Sequence, residues 1–305
     1  MYCRSHRGAA ALSVRPALSR CCMKILIAAS LTDASLQELS TTGTRVVNQP
    51  ELTPEELPAA MADAGVLVVD RRRVPAEAIA GAQSLQLIVR AGPSVANIAV
   101  DEASNQGVFV CSTPGEDRAA VAELLMGQLL ALDRRLFAQV EALREGRPPD
   151  LLAPRGLAGR TLGVLGYGAV GREVAHRARA FDMHVVAWSE TMTGPVSRSD
   201  GVEFCTHPRE LARRCDAIAV YGPPEAQHEA LVTADFAASM LPGAYLMHCG
   251  HPGVIDEAVV AQAAREQRIH VASDIYDPGS DSGRVRSRLT EVPGAIVTQR
   301  LGSST

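Results

Sequence analysis

The sequence predicts an α/β protein of two doubly wound domains, each a mainly parallel sheet covered by helices. Three observations predict it. At 305 residues the chain is long enough for two domains, each with its own core. From Lys24 onward, short β-like runs alternate with helical patterns, the rhythm of a parallel sheet. In the second half a glycine motif stands between a strand-like and a helical segment, the context in which such a motif carries chemistry. Composition agrees: with 47% hydrophobic and 21% charged residues the chain reads as folded and globular, and no uncharged apolar stretch has the length of a membrane-spanning helix.

The segment 1–22 carries four arginines and no acid, and is expected to lie outside the fold as a disordered extension or an organelle-targeting segment, with Met23 as the natural first residue. The remaining residues hold 26 bases against 34 acids, or −8, which argues against nucleic acid as a partner. The seven cysteines are odd in number, lack a CxxC spacing and include the adjacent Cys21 and Cys22; a disulfide framework is not expected, and the cytoplasm is the default compartment.

A first domain is read over 23–120. Its strands are KILIAA, RVVN, VLVV, LQLIV and VFV; DASLQELS, PEELPAAMADA and PAEAIAGA are its helices. One long amphipathic helix is predicted from about Asp117 to Arg144, with Val121, Leu124, Leu125, Gln128, Leu132 and Leu136 along one side, joining the domains. After the Pro-rich GRPPDLLAP the alternation resumes. TLGVL, HVVAW, DAIAV, AYLMH, IHVAS and AIVT are the strands of a second domain read over 121–305.

The motif Gly166-Tyr167-Gly168-Ala169-Val170-Gly171 follows the strand TLGVL and opens a helix that leads into HVVAW. In that context Gly166 permits a tight turn, Gly168 lets the backbone approach a pyrophosphate, and Gly171 lets helix and strand pack closely, while the first helical amides at Ala169 and Val170 face the phosphates. The second strand of such a unit is expected to end in an acid that binds the adenosine ribose. Here the position is Ser189, with Glu190 one step later and Arg198 the nearest downstream cation, so NAD and NADP both stay open, NAD being the first choice.

Five segments carry a resemblance: 89–115, 121–132, 157–188, 240–260 and 271–278. On them the sequence resembles the D-isomer-specific 2-hydroxyacid dehydrogenases, and within these the phosphoglycerate dehydrogenase type. The resemblance implies a flavodoxin-like substrate domain, a Rossmann NAD(P)-binding domain, an active site between them, and hydride transfer between nicotinamide and C2 of a small-molecule 2-hydroxy or 2-oxo acid. It further implies cofactor contacts at Cys249, Gly250 and Asp274, and a homodimer. Members of the family use an Arg, a Glu and a His. At those positions this sequence has His251, Gly279 and Arg300. An arginine cannot exchange a proton near neutral pH and Gly279 has no side chain, so either His251 and Arg300 have traded roles, or the protein is a dinucleotide-binding pseudoenzyme acting as a sensor or partner subunit. Pro93 lacks the N–H that a carboxylate would use in the substrate loop, and Gly302-Ser-Ser-Thr305 stands where the family continues into a further helix. His248, Cys249 and His251 with His207 or Cys205 are read as a strand end and turn, with no metal expected. Arg71, Arg72 and Arg73 are read as a solvated loop.

Overall fold

The computed structural model of the protein describes residues 2–3, 23–70, 72–92, 94–148, 154–190, 198–199, 201–222, 230–275, 287–299 and 301–303. The chain divides into two compact units, 1–116 and 117–305.

In the first unit the elements run β1 (Tyr2–Cys3), β2 (Lys24–Ala28), α1 (Asp33–Ser40), β3 (Arg45–Asn48), α2 (Leu57–Met61), β4 (Val66–Val69), α3 (Ala76–Gly81), β5 (Leu87–Arg90), α4 (Val100–Asn105) and β6 (Phe109–Ser112). The sheet order is β1-β6-β5-β4-β2-β3, parallel except at the edge where β1 runs antiparallel to β6. After Lys24, β2 is an unbroken apolar run because it is an interior strand, between β4 and β3, and covered on both faces. One layer of core joins Leu26, Leu67 and Ile88 to Leu57, Met61 and Ile79 of the helices; a smaller one packs Ile25 and Ile27 near Leu36 and Leu39 of α1. Thr32 starts α1 by accepting the Ser35 N–H on its hydroxyl.

The second unit contains α5 (Arg118–Asp133), α6 (Leu136–Arg144), β7 (Thr161–Leu165), α7 (Ala169–Ala180), β8 (His184–Trp188), β9 (Arg198–Ser199), β10 (Val202–Phe204), α8 (Pro208–Arg214), β11 (Ala217–Val220), α9 (Ala234–Ser239), β12 (Ala244–His248), α10 (Glu257–Arg265), β13 (Ile269–Ile275) and β14 (Ile296–Gln299), with 3-10 turns at Pro252–Val254, Arg288–Glu291 and Leu301–Ser303. Its sheet order is β14-β13-β12-β11-β7-β8-β10-β9, parallel except for the β9–β10 pair. β7 comes first among these strands and lies between β8 and β11. The connections therefore leave it in opposite directions, and the C-terminal end of β7 is the place where an open α/β sheet leaves room for a ligand.

The single helix expected over 117–144 is instead two. Arg135 adopts a left-handed conformation, φ 49° and ψ 41°, which interrupts the ladder between α5 and α6. α5 buries Val121, Leu125, Met126, Leu129 and Leu132, and its last residue, Asp133, is anchored inside: the buried carboxylate accepts the Tyr245 hydroxyl at 3.2 Å and the Gly156 N–H at 3.2 Å, 3.6 Å from Arg160. After the break the apolar side faces out. Only Ala142 of α6 is buried, so Leu136 does not continue the stripe of α5.

Candidate functional site

Three glycines at the end of β7 differ in what surrounds them. Gly166 has φ +105°, a conformation L side chains rarely adopt, and an added Cβ would lie 1.9 Å from the Tyr221 carbonyl oxygen. Its N–H donates to the Trp188 carbonyl at 3.0 Å, and the Tyr221 N–H donates to Leu165 at 3.0 Å, so the turn is tied to both neighbouring strands. At Gly171 a Cβ would stand 2.3 Å from the Gly166 oxygen; helix and strand approach there as closely as backbones allow. Gly168 is the opposite case: it is exposed, precedes α7 with no side-chain cap, and among the described residues has nothing within 4 Å of an added Cβ. The following amides at Ala169 and Val170 begin a 12-residue helix whose first N–H groups have no intrahelical partner. The result is a tight cradle with one open position at a positive helix end, chemistry that suits a pyrophosphate.

The strands are parallel, so Ser189 after β8, Cys249 after β12 and Asp274 on β13 lie at the same edge of the sheet as Gly166. Ser189 is half-buried and Glu190 exposed; Arg198 lies on β9. The Tyr167 ring meets Phe204 edge-on at 4.9 Å, which sets the side chain between the first two glycines against β10.

Beyond β12 the backbone turns through Cys249, Gly250 and His251. The Cys249 N–H donates to Val220 at 3.2 Å, and a Cβ on Gly250 would come 2.9 Å from the Gly222 nitrogen. Burial, with the Asp274 charge nearby, pushes the Cys249 thiol far up, so it is no nucleophile. His251 caps the 3-10 turn: its Nδ1 accepts the Gly253 N–H at 3.1 Å, which leaves the proton of the neutral imidazole on Nε2. His248 is buried beneath it. Its Nδ1 stands 3.1 Å from the Ser273 hydroxyl and its Nε2 3.3 Å from the His251 carbonyl, an arrangement satisfied when Ser273 donates to Nδ1 and Nε2–H donates to His251. Burial lowers the His248 pKa to about 4, keeping it neutral.

The Asp274 carboxylate is 8% exposed and already engaged. It accepts the Thr298 hydroxyl at 2.7 Å and the N–H groups of Leu301 and Gly302 at 3.0 Å each, and so holds the 301–303 turn near Val121 and Leu124 of α5. Sequence reasoning missed this, and also missed Gln128, whose buried Oε1 faces the Cys249 thiol at 3.7 Å while its Nε2 has no hydrogen-bond partner among the described residues. A buried glutamine inside an apolar helical stripe was the available signal.

Arg71, Pro93, Gly279 and Arg300 lie outside the described residues. Arg72 is half-buried, its guanidinium donating to the Pro50 carbonyl, whereas Arg73 is exposed as a solvated loop requires. Among the described residues no group of three His, Cys, Asp or Glu side chains is placed to hold a metal ion.

Residues 126–302 match the family model for the D-isomer specific 2-hydroxyacid dehydrogenase NAD binding domain. The chain is 33% identical over 291 residues to D-3-phosphoglycerate dehydrogenase of Methanocaldococcus jannaschii, covering 93% of this chain and 54% of that protein. It is 29% identical over 262 residues to hydroxypyruvate reductase of Thermotoga maritima, covering 85% and 84% of the two chains. The crystal structure of the TT0316 protein from Thermus thermophilus superposes with a TM-score of 0.79 at 27% identity, over 93% of this chain and 91% of that one. This chain thus spans about half the length of the D-3-phosphoglycerate dehydrogenases it matches.

Proposed function

We propose, from the premise that the chain belongs to the D-isomer specific 2-hydroxyacid dehydrogenase family and carries its NAD-binding domain, that this protein catalyses hydride transfer between a nicotinamide coenzyme and a small 2-hydroxy or 2-oxo acid. The observation that carries the reading is the contrast at the glycine turn: Gly166 and Gly171 are filled to backbone contact, and Gly168 alone is open. The amides at Ala169 and Val170 then receive the pyrophosphate. Ser189, small and uncharged, admits a ribose 2′-hydroxyl or a 2′-phosphate, so NAD or NADP serves. The backbone at Cys249 and Gly250 and the carboxylate of Asp274 border the nicotinamide end. When bound, the coenzyme supplies or accepts the hydride.

The proton belongs to His251. The Gly253 N–H holds its Nδ1, leaving Nε2–H as donor to a substrate oxygen. Arg300 holds the substrate carboxylate, since a guanidinium binds that group well and cannot act as acid or base near neutral pH. The first unit supplies the substrate domain. A second, binding-only reading is favoured by Gly279, where the family has a carboxylate to support the imidazole.

One experiment tests both. Calorimetry with NADH and NADPH is expected to show binding, and absorbance at the nicotinamide band is expected to fall with a panel of 2-oxo acids. His251→Ala keeps coenzyme binding and loses turnover. Turnover that survives His251→Ala refutes the role of His251, binding without turnover supports the second reading, and no affinity for either coenzyme refutes the assignment of the glycine turn.

For self-association, Leu136, Phe137, Val140 and Leu143 of α6 are exposed together and form the surface of a homodimer, which Phe137→Glu would weaken in light scattering. No helix among the described residues is long and apolar enough to cross a membrane. Cys205, Cys215 and Cys249 form no disulfide among the described residues, which fits a reducing compartment, the cytoplasm.

A further inference from the structure

β12 ends in a buried histidine, although Tyr245, Leu246 and Met247 before it are aromatic or apolar. An imidazole at such a place has lost its water, so each ring nitrogen needs a partner inside the protein. His248 has both. Ser273, its register partner on β13 and likewise buried, lies 3.1 Å from Nδ1, and the His251 carbonyl lies 3.3 Å from Nε2. A carbonyl only accepts, so Nε2 carries the proton, Nδ1 offers its lone pair, and the Ser273 hydroxyl donates to it. One tautomer satisfies all three groups. Burial keeps the ring neutral, its pKa lowered to about 4, and the same pattern therefore persists at neutral pH.

His251, which receives the Nε2 proton on its carbonyl, is held at two further points. That carbonyl also accepts the Val254 N–H at 3.0 Å, and its own Nδ1 accepts the Gly253 N–H at 3.1 Å. Gly253 and Val254 belong to the 3-10 turn and move with it, whereas His248 stands on the sheet. His248 therefore ties His251 to the strands. The chain passes closely over the ring on its way: a Cβ on Gly250 would stand 3.4 Å from the His248 Nε2.

We propose that His248 is a positioning residue for the reaction, fixing the His251 backbone through its Nε2–H while Ser273 sets the tautomer, a role that rests on the proton-donor reading of His251 given above. The imidazole of His251 follows its backbone, and a displacement of about 1 Å at a reacting group costs about a hundredfold in rate.

Three variants of the full chain test this. His248→Gln brings a carboxamide N–H to the place of Nε2, His248→Asn is too short to reach the His251 carbonyl, and Ser273→Ala frees the proton to move to Nδ1, which turns a lone pair on that carbonyl. Hydrogen exchange at the Gly253 and Val254 amides is read by NMR, beside kcat, KM and NADH affinity. His248→Asn is expected to speed exchange at both amides about tenfold, and to lower kcat at least about tenfold while KM and NADH affinity stay within about twofold. His248→Gln recovers most of both losses, which a merely structural histidine would not require. Ser273→Ala shifts both in the direction of His248→Asn and decides the matter if that variant is unfolded. Native exchange at the two amides in the deciding variant, or a native kcat despite faster exchange, overturns the proposal. Failure of the His251 reading shows separately, as a native protein without turnover or turnover that survives His251→Ala, and the amide exchange still reports whether His248 holds the turn.

Discussion

Alanine at Gly166 and alanine at Gly168 are expected to damage different properties. At Gly166 the new methyl would need a left-handed backbone, costing about 1–2 kcal/mol, and would overlap the Tyr221 carbonyl oxygen at 1.9 Å, an obstruction that cannot swing aside. Relief of that overlap requires strand ends to part by more than about 1 Å, at a further cost of about 1–3 kcal/mol. The sum, about 2–5 kcal/mol, is a large fraction of a typical domain stability of about 5–15 kcal/mol, and the melting temperature should fall by about 10 °C. At Gly168, with φ −88° and nothing within 4 Å, the same methyl is expected to change stability by less than about 1 kcal/mol. It does, however, fill the one open position in front of the α7 amides, so NADH affinity should drop at least about tenfold, or about 1.4 kcal/mol. Circular dichroism melts and calorimetric NADH titration read the two effects separately. Gly168→Ala binding NADH as tightly as the native protein, or Gly166→Ala melting unchanged, refutes the geometry assigned to the turn.

Two further outcomes follow from buried groups. His248 titrates near 6.5 when unfolded and about 4 when folded, so above pH 6.5 its burial costs nothing in protonation. As pH falls from 6.5 to 4 the unfolded chain takes up the proton first, and the fold loses up to about 3 kcal/mol; urea melts across this range should show that slope, and His248→Asn should flatten it. Asp274→Ala strips acceptors from the Thr298 hydroxyl and the Leu301 and Gly302 amides, and is expected to cost about 2–4 kcal/mol and to speed hydrogen exchange at those two amides; unchanged exchange would show that the turn holds without the carboxylate.

The strands of the second unit are legible in the sequence because their signals are local. Thr161–Leu165 and His184–Trp188 are short runs rich in apolar residues that bound the glycine turn and its helix, and the pattern marks both ends of each. What escapes the sequence is set by distant parts of the chain. No property of Arg135 as a residue type announces a left-handed φ; the break in the helix comes with the anchoring of Asp133 to Tyr245 and Gly156, which lie far along the chain. The three donors on Asp274 come from residues 24 to 28 positions later. Sequence marks that carboxylate as a strand-end acid but has no means to show what already occupies it. The burial of His248 is hidden for a related reason, since burial of a polar group is a property of its neighbours.

The chain's sole tryptophan, Trp188, ends β8, and its carbonyl receives the Gly166 N–H. Excited at wavelengths that tyrosine does not absorb, the native protein gives a one-residue spectrum, from a side chain whose own backbone carbonyl is bonded to the very bend under discussion. Quenching of that indole, and transfer of its excitation to a reduced nicotinamide, need no label to be introduced and no second tryptophan to be subtracted.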